Sequence, residues 1–210
     1  MKVPPPRKRY SIVFADDHVL IRQAISTYIN LLKDFEIVQQ CKDGLEVMQY
    51  LQHNPMPDIL ITDLDMPGMN GYETVTWVKT NFSEIKILVL TVFNTEAAWQ
   101  IALTYGAHAF LAKDIEMAEM EKALYSVLAT EEYNKRNKLF LSKKEIEFLQ
   151  YLCGGLPFAD IAQKLLVSVS TTEKMRQDLF EKFAVKTRAT LTRYVLENGI
   201  ILQGSLHSVN

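Results

Sequence analysis

One stretch of the sequence decides the fold: residues 58–71 read DILITDLDMPGMNG. It opens with an apolar run at 59–62, passes through two carboxylates at Asp63 and Asp65, and ends in a Pro-Gly and an Asn-Gly dipeptide. Short apolar runs bounded by turn signals are typical of buried strands, and these dipeptides are typical of turns. The stretch therefore predicts a buried strand followed by a carboxylate-bearing loop.

Four further apolar runs occur in the first 130 residues, and segments with helical spacing separate all five. The other runs lie at 11–15, 35–38, 86–91 and 109–112. The helical segments lie at 19–32, 47–51, 72–82, 95–105 and 116–130. Strand followed by helix, five times over, predicts the α/β class, with a doubly wound five-stranded parallel sheet covered on both faces.

The composition is that of an ordinary soluble globular protein. Of 210 residues, 48% are hydrophobic and 23% are charged, and the net charge of −2 disfavours binding to nucleic acid by charge alone. The two cysteines, Cys41 and Cys153, lie far apart and outside any CxxC pattern, so neither a disulfide framework nor a cysteine zinc site is indicated. No apolar run approaches the roughly 18 residues of a membrane helix, and no signal peptide is recognisable. We expect a cytoplasmic protein that does not enter the membrane.

The sequence pattern changes after the fifth helical segment, because from Leu139 onward only helical patterns occur. The predicted organisation is a flexible basic leader at 1–9, a first domain at 10–130, a linker at 131–140, a small all-α domain at 141–200 and a tail at 201–210. Charge divides near the same place. Residues 1–138 carry 14 basic and 18 acidic side chains, whereas 139–210 carry nine and seven. An acidic and a mildly basic domain suggest two separate tasks.

Charged and hydroxyl side chains follow the predicted strands at the sheet edge where parallel α/β proteins bind ligands. They are Asp16, Asp17, Asp63, Asp65, Thr91 and Lys113. Carboxylates gathered there suit Mg²⁺, and the glycines of the loop let the backbone carbonyl of Asp65 approach as a further ligand. With an ammonium and a hydroxyl beside them, they predict phosphoryl transfer to Asp63. A solvated strand end is the simpler interpretation of any one residue, but not of the whole set.

These residues resemble the hallmarks of a response-regulator receiver domain, and the resemblance covers residues 10–130. It implies a flavodoxin-like fold in which Asp63 accepts a phosphoryl group from a sensor histidine kinase. Asp17 would bind Mg²⁺ directly, and Asp16 directly or through water. By the residues alone, His18 beside this pair is better explained as the start of a helix than as a ligand, because Mg²⁺ prefers oxygen.

The same resemblance implies a switch pair, Thr91 and Phe110, whose hydroxyl moves toward the phosphoryl group while the ring turns inward. Two positions differ from common receivers. Val92 is often a smaller residue, so its branched side chain restricts access to the phosphoacceptor. Asp114 stands where many receivers carry proline, although a Lys-Asp pair is familiar in the subclass whose output domain is described next.

The second domain shows the order of a helix-turn-helix. We expect helices at 142–152, 158–165, 170–183 and 187–197, with the turn at 167–168. In the third helix, the spacing of Thr172, Met175, Leu179 and Phe183 predicts a buried seam, which leaves the charged positions between them facing outward.

This segment resembles the LuxR-type helix-turn-helix output domain of NarL/FixJ-like response regulators over residues 139–198. The resemblance implies double-stranded DNA as a partner and a homodimer when the protein is phosphorylated. LuxR-type domains pair through their last helix, and residues 95–130 of the first domain are a second candidate dimer face. The candidate DNA contacts are Ser170, Thr171, Glu173, Lys174, Gln177, Lys182 and Arg188. Lysine, histidine and glycine are usual in the family where Glu173, Met175 and Ala184 stand. Glu173 repels phosphates, but it can accept from a cytosine amino group or serve as the capping-box partner of Ser170.

Two alternatives remain open at this point. A module of four short helices can bind a protein instead of DNA. Separately, Asp63-Leu64-Asp65 resembles the DxD motif of haloacid-dehalogenase-type phosphatases, which also form an aspartyl phosphate. Those enzymes place the motif after their first strand and carry Thr or Val where this chain has Met66. We expect a transcriptional regulator and not an enzyme.

Overall fold

The structure is a computed structural model that describes residues 9–129 and 141–203. The described residues form two compact units, the first from 9–92 with 105–129 and the second from 93–104 with 141–203. The predicted linker at 131–140 lies outside the described residues, as do most of the leader and of the tail. Within the described ranges, no helix is long and apolar enough to cross a membrane.

The first unit is built on five parallel strands. They are β1 (Tyr10–Ala15), β2 (Phe35–Cys41), β3 (Ile59–Thr62), β4 (Lys86–Thr91) and β5 (Ala109–Ala112). Their order in the sheet is β2-β1-β3-β4-β5, and all four pairings are parallel. This order reverses direction between β1 and β3, which confirms the predicted doubly wound sheet and places its switch point between those two strands.

Five helices alternate with the strands. They are α1 (Val19–Leu31), α2 (Gly44–His53), α3 (Gly71–Asn81), α4 (Glu96–Tyr105) and α5 (Met117–Leu128). On one face of the sheet, α1 and α5 cover a core that includes Phe14, Ile61, Leu88 and Leu111. The central strand β3 and the edge strand β5 are buried along their whole length, and β1 and β4 are buried except at their first residues, as expected for a parallel sheet covered on both faces.

The Asn-Gly dipeptide of the decisive stretch is not a turn, so that prediction was wrong. Asn70 is the N-cap of α3, where its side chain accepts from the Glu73 N–H at 3.1 Å while the Glu73 carboxylate accepts from the Asn70 N–H at 3.0 Å. This capping box satisfies two backbone donors at the helix start. The carboxylate-bearing loop therefore leads directly into a helix, which fixes the loop at both ends.

The second unit contains four further helices, α6 (Lys143–Cys153), α7 (Phe158–Lys164), α8 (Val169–Lys182) and α9 (Arg188–Glu197). They match the four predicted helices to within a residue or two. Ser142 caps α6 through a capping box with Glu145, and Thr187 caps α9. Leu149, Leu152, Leu191 and Val195 are fully buried between these helices.

The start of α8 differs from the sequence prediction. Its N-cap is Ser168, whose side chain accepts from the Thr171 N–H at 3.1 Å. Ser170 lies inside the first turn, so Glu173 is not the capping-box partner that the sequence suggested for it. α7 ends at Lys164 and α8 begins at Val169, so Ser168 and not Ser170 is the residue that precedes the helix and caps it.

Residues 93–104, which hold most of α4, group with the second unit and not with the sheet whose strands flank them in the sequence. The buried positions of α4 run without a break from Ala97 to Ala102, whereas a helix covered on one face is buried every three or four residues. Inside this unit, the Thr95 hydroxyl donates to the Asn198 carbonyl at 2.7 Å. At the other end of the predicted first domain, Arg9 donates to the carbonyls of Asn30 and Leu32, so it belongs to the fold and not to a flexible leader.

Candidate functional site

The predicted site residues meet at the carboxyl edge of the sheet. Asp16 and Asp63 directly follow β1 and β3, on the two sides of the switch point, and Lys113 directly follows β5. Backbone bonds continue the ladder past the strands, because the Asp63 N–H donates to the Ala15 carbonyl at 2.9 Å and the Lys113 N–H donates to the Thr91 carbonyl at 2.8 Å. The sheet itself therefore positions the three charged side chains.

Lys113 bridges the two buried carboxylates. Its Nζ lies 2.7 Å from Oδ2 of Asp63 and 2.8 Å from Oδ2 of Asp16. The three side chains are exposed by only 6% for Lys113, 2% for Asp63 and 0% for Asp16. Buried charges of this kind persist only when they are paired, so the ammonium is what allows two carboxylates to share this interior position.

The burial shifts the titration of both partners. Burial raises the pKa of Asp63 above its ordinary value, and the hydrogen bond from Lys113 opposes but does not cancel this effect. Burial alone would lower the pKa of Lys113, but its hydrogen bonds to Asp16 and Asp63 outweigh that effect and raise it. At neutral pH the lysine is thus held as an ammonium beside the carboxyl group of Asp63.

A third carboxylate completes an acidic cluster. One ligand atom each from Asp16, Asp17, His18 and Asp63 lies within 4.8 Å of the others. Among the described residues, none donates a well-aligned hydrogen bond to Oδ1 of Asp17, although Nδ1 of His18 lies 2.7 Å from it. Three carboxylates against one lysine ammonium leave negative charge that a divalent cation would neutralise. The oxygen donors are those that Mg²⁺ prefers, so the residues fit the ion.

The loop after β3 is shaped around the phosphoacceptor candidate. The Leu64 N–H donates to Oδ1 of Asp63 at 2.7 Å, which orients the carboxylate. The loop returns so closely that a Cβ on Gly71 would lie 2.1 Å from the Asp63 carbonyl oxygen. Only glycine fits at that position. Asp65 is exposed on the same loop, and the role of its backbone carbonyl as a metal ligand stays a prediction.

The expected switch residues lie on neighbouring strands. Val89 of β4 pairs with Phe110 of β5, and Thr91 lies two residues beyond Val89, so Thr91 and Phe110 point to the same face of the sheet. Both are buried, at 0% and 6% exposure. Val92, the first of the two departures from common receivers, is 65% exposed, and Asp114, the second, is exposed as well.

The candidate DNA contacts divide into two groups in the structure. Ser170, Thr171, Glu173, Lys174 and Gln177 are exposed on α8. The seam between them is buried at Thr172, Leu179 and Phe183, whereas Met175 is only partly buried. The outward direction of the charged positions is therefore as predicted, with Met175 as the weakest member of the seam.

The other two candidates have partners inside the domain. Nζ of Lys182 lies 3.0 Å from Oε1 of Glu145. The pKa of Glu145 is lowered: its burial would raise it, but hydrogen bonds from Ser142 and Lys182 outweigh the burial. The Arg188 guanidinium donates to the carbonyl of Leu152 near the end of α6, where carbonyls lack helical partners. Contact of either side chain with DNA stays a prediction.

Sequence reasoning missed three residues near these sites. The Arg22 guanidinium donates to the backbone carbonyl of Asp16 and so holds the end of β1, an arrangement that no local pattern signals. Leu166 and Val169 are large apolar side chains that are 91% and 44% exposed at the start of α8. Their signal was readable, because both lie within two residues of Ser168, beside the predicted turn that leads into the recognition helix.

Comparison with known families gives a match to each half of the chain. The family model of the response regulator receiver domain matches residues 12–125, which include every residue of the acidic cluster. The model of bacterial regulatory proteins of the luxR family matches residues 139–195. The first match assigns the Asp63 loop to receivers and not to the phosphatase family that its DxD sequence also resembles.

Relatives match over nearly the full length. The oxygen regulatory protein NreC of Staphylococcus carnosus is 31% identical, and that of Staphylococcus epidermidis strain ATCC 12228 is 32% identical; each alignment covers 90% of this chain and 98% of the relative. Among solved structures, RcsB from Salmonella enterica serovar Typhimurium, bound to the promoter rprA in the presence of the phosphomimetic BeF3−, is 25% identical. It has a TM-score of 0.65 and covers 90% of this chain and 98% of its own.

Proposed function

Because this chain belongs to the response regulators that join a receiver domain to a LuxR-type DNA-binding domain, we propose that phosphorylation of Asp63 by a sensor histidine kinase controls its binding to DNA. The observation that carries the proposal is the buried cluster in which Lys113 bridges Asp16 and Asp63 at 2.8 and 2.7 Å. A fold seldom buries two carboxylates and a lysine together unless the site has a task, because each must give up its hydration. We propose that the phosphorylation and the DNA binding take place in the cytoplasm.

The residues of the cluster divide the work of phosphoryl transfer. A carboxylate oxygen of Asp63 attacks the phosphorus of a kinase phosphohistidine; the new O–P bond forms as the N–P bond breaks, and the released imidazole takes up a proton. The Leu64 N–H and the Lys113 ammonium hold the two Asp63 oxygens at 2.7 Å each. The carboxylate is thus oriented before the donor arrives, which is where most of the catalysis of phosphoryl transfer lies.

Asp16, Asp17, Asp63 and the backbone carbonyl of Asp65 are the groups that would hold Mg²⁺. When bound, the ion supplies positive charge that neutralises the phosphoryl oxygens and the carboxylates around them. The phosphoryl group brings up to about two negative charges to Asp63, whose Oδ2 the Lys113 ammonium already contacts. Lys113 then also binds an oxygen of the phosphoryl group. The Arg22 guanidinium keeps the backbone of Asp16 in place during this change.

The signal leaves the site through the strands next to it. In the proposal, the Thr91 hydroxyl donates to the phosphoryl group and Phe110 adjusts on the same face of the sheet. These two residues lie on the neighbouring strands β4 and β5 and are buried. Because the interior is closely packed, a movement of one side chain requires the other to adjust. The altered surface favours a homodimer, which presents α8 of each copy to one of two paired half-sites in DNA.

The output domain supports DNA as the partner through the exposed polar face of α8. Lys174, Arg176 and Gln177 lie on it together with the unusual Glu173. RcsB, which is similar over 90% of this chain, forms a complex with promoter DNA in the presence of a phosphomimetic. The carboxylate at Glu173 favours a distinct operator, since it can accept from cytosine but repels phosphate.

The test is a binding assay with the full chain. Double-stranded DNA sites are first selected from a random library, and affinity is then measured with and without acetyl phosphate and Mg²⁺. We expect the phosphodonor to tighten binding and to shift the protein to a dimer in light scattering, and both effects to vanish in Asp63→Ala. Glu84→Ala is the matched control, because Glu84 is exposed and lies outside the acidic cluster; it should respond like the wild type.

Two results would contradict the proposal in different ways. A response to the phosphodonor that persists in Asp63→Ala would place the control elsewhere. A selection that retains no DNA fragment would favour the protein-binding alternative for the helical domain, even if Asp63 is phosphorylated.

A further inference from the structure

The turn that leads into α8 contains a leucine in a conformation suited to glycine. Leu166 has a φ of 54°, and its side chain is 91% exposed. The turn closes α7 by two backbone bonds, from the Leu166 N–H to the Gln163 carbonyl at 3.2 Å and from the Val167 N–H to the Ala162 carbonyl at 2.9 Å. In this closing motif the left-handed residue is usually glycine.

The same motif ends two other helices of the domain with the expected residue. Gly155 after α6 has a φ of 96° and Gly199 after α9 has a φ of 65°. At Leu166 the chain instead carries a large side chain that strains the backbone and gains no burial in return. An observed outlier of this kind is grounds for a functional hypothesis.

A second exposed apolar side chain lies on the other side of the N-cap. Val169 is the first residue of α8 and is 44% exposed. The hydroxyls around it are already engaged with each other, because Oγ of Ser168 lies 2.8 Å from both Oγ of Ser170 and Oγ1 of Thr171. The turn before α8 and the first residue of the helix therefore present two apolar groups on either side of the hydroxyl cluster that caps the helix.

The position of this pair indicates what covers it. In a helix-turn-helix domain, the first residues of the recognition helix contact base edges in the major groove. The apolar group that the major groove displays is the 5-methyl of thymine. We propose that Leu166 and Val169 contact thymine methyl groups and so determine a preference for thymine within each half-site. This inference rests on the proposed DNA binding and adds a specificity to it.

The test compares thymine with deoxyuridine, which differs only by that methyl group. The full chain is first used to select a duplex site, and each thymine of the site is then replaced singly by deoxyuridine. Burial of one methyl group corresponds to about 0.8 kcal/mol, or about four-fold in affinity. We expect a loss of about four-fold at one or two thymines per half-site and no change at the remaining thymines.

Two variants identify the side chains responsible. Val169→Ser removes both methyl groups of the side chain, and Leu166→Asn introduces a polar residue that tolerates the left-handed backbone. Each should bind the thymine duplex more weakly by a similar factor and should lose the sensitivity to deoxyuridine at its own position. Ala184→Asn is the matched control, since Ala184 ends α8 with a φ of 52° in the same motif; it should keep full sensitivity.

The outcomes are distinguishable. Tight, site-specific binding with no effect of deoxyuridine at any position overturns this inference and leaves the proposed DNA binding intact. Retention of full sensitivity in both Val169→Ser and Leu166→Asn does the same. A selection that recovers no site overturns both the proposed DNA binding and this inference. Thermal unfolding of each variant verifies the fold, and Leu166→Asn should unfold at a higher temperature than the wild type because the backbone strain is relieved.

Discussion

The two domains hold their functional residues in opposite physical settings. In the receiver, Asp16, Asp63 and Lys113 are buried and contact each other. In the output domain, the candidate contacts of α8 are exposed. Buried charges require partners, so their identity is constrained by the fold, whereas an exposed helix face accepts many side chains. The difference teaches that the residues of a buried charged site can be predicted from the sequence. For an exposed site, only the helix that carries the residues can be predicted.

Removing the cation of the buried cluster should have the largest effect. Lys113→Met leaves Asp16 and Asp63 together without an ammonium, and breaking a buried ion pair costs about 3–5 kcal/mol. We expect the free energy of unfolding of the receiver in urea to fall by about this amount. Lys122→Met on α5 is the control, because Lys122 is exposed and such changes stay within about 0.5 kcal/mol. Equal stability of both variants would contradict the claim that the receiver site depends on buried, paired charges.

Gly71→Ala should have the second largest effect on stability. Alanine normally favours a helix over glycine by about 0.5–1 kcal/mol, but here its Cβ would lie 2.1 Å from the Asp63 carbonyl oxygen and 2.6 Å from Cα of Leu64. Both atoms are backbone, so the loop must move, at a cost of about 1–3 kcal/mol. We expect a less stable receiver and slower phosphorylation, measured by urea denaturation and by the rate of modification with acetyl phosphate.

Gly155→Ala in the output domain provides the counterpart. A Cβ there meets no atom of residues 9–129 or 141–203 within 4 Å, and the φ of 96° is what disfavours a side chain. The cost should be about 1–2 kcal/mol from the backbone alone, with phosphorylation unchanged. A Gly71→Ala variant that is as stable as the wild type would refute the close approach of the loop to Asp63.

The Lys182–Glu145 pair tests whether a surface cation with a partner still serves DNA. Lys182→Gln should lower the slope of log affinity against log salt by about one unit, as expected for one phosphate contact. Glu145→Gln keeps the capping box and should leave the slope unchanged. It should tighten DNA binding by up to about 1 kcal/mol, because Lys182 then has no ion pair with Glu145 to break when it binds a phosphate. An unchanged slope in Lys182→Gln would restrict Lys182 to its role beside Glu145.

A pH-dependent effect concerns a histidine of the receiver that takes no part in the site. Burial lowers the pKa of His108 from 6.5 to about 4, and Lys79 and Lys86 add to this. Its Nδ1 accepts from the Ile87 N–H at 3.0 Å, which requires the neutral ring. As the pH falls below 6.5, the unfolded chain takes up the proton first, so this contribution to stability is lost progressively down to about pH 4.

His108→Asn retains an acceptor for the Ile87 N–H but does not titrate. Urea denaturation at pH 7.5 and pH 5 should therefore show a smaller loss of stability on acidification in the variant than in the wild type. An identical loss in both would mean that other groups carry the acid sensitivity of the receiver.

Much of the fold was predictable because it depends on local patterns. The five apolar runs and the helical spacing between them predicted the strands and helices of the receiver, and the helical patterns after Leu139 predicted the four helices of the second unit to within a residue or two. The start of α3 was readable in the same way from Asn70 and Glu73, but the adjacent glycine favoured a turn in the prediction. Here two local signals competed, and the helix cap prevailed.

Other features depend on contacts between distant parts of the chain and have no local signal. The hydrogen bond from Thr95 to Asn198 spans 103 residues, and the membership of residues 93–104 in the second unit could not be read from their helical spacing. The same is true of Arg188, whose guanidinium binds the Leu152 carbonyl. The positive charge of Arg188 suggested a DNA contact, and only the fold shows the carbonyl that competes for it.

The most direct test asks whether Asp63 carries a labile phosphate. The full chain is incubated with acetyl phosphate and Mg²⁺, reduced with borohydride, which converts an aspartyl phosphate to homoserine, and analysed by peptide mass spectrometry. We predict homoserine at position 63 in the wild type, with none in Asp63→Asn or when EDTA replaces Mg²⁺. An unmodified Asp63, or modification at another carboxylate instead, would contradict the account.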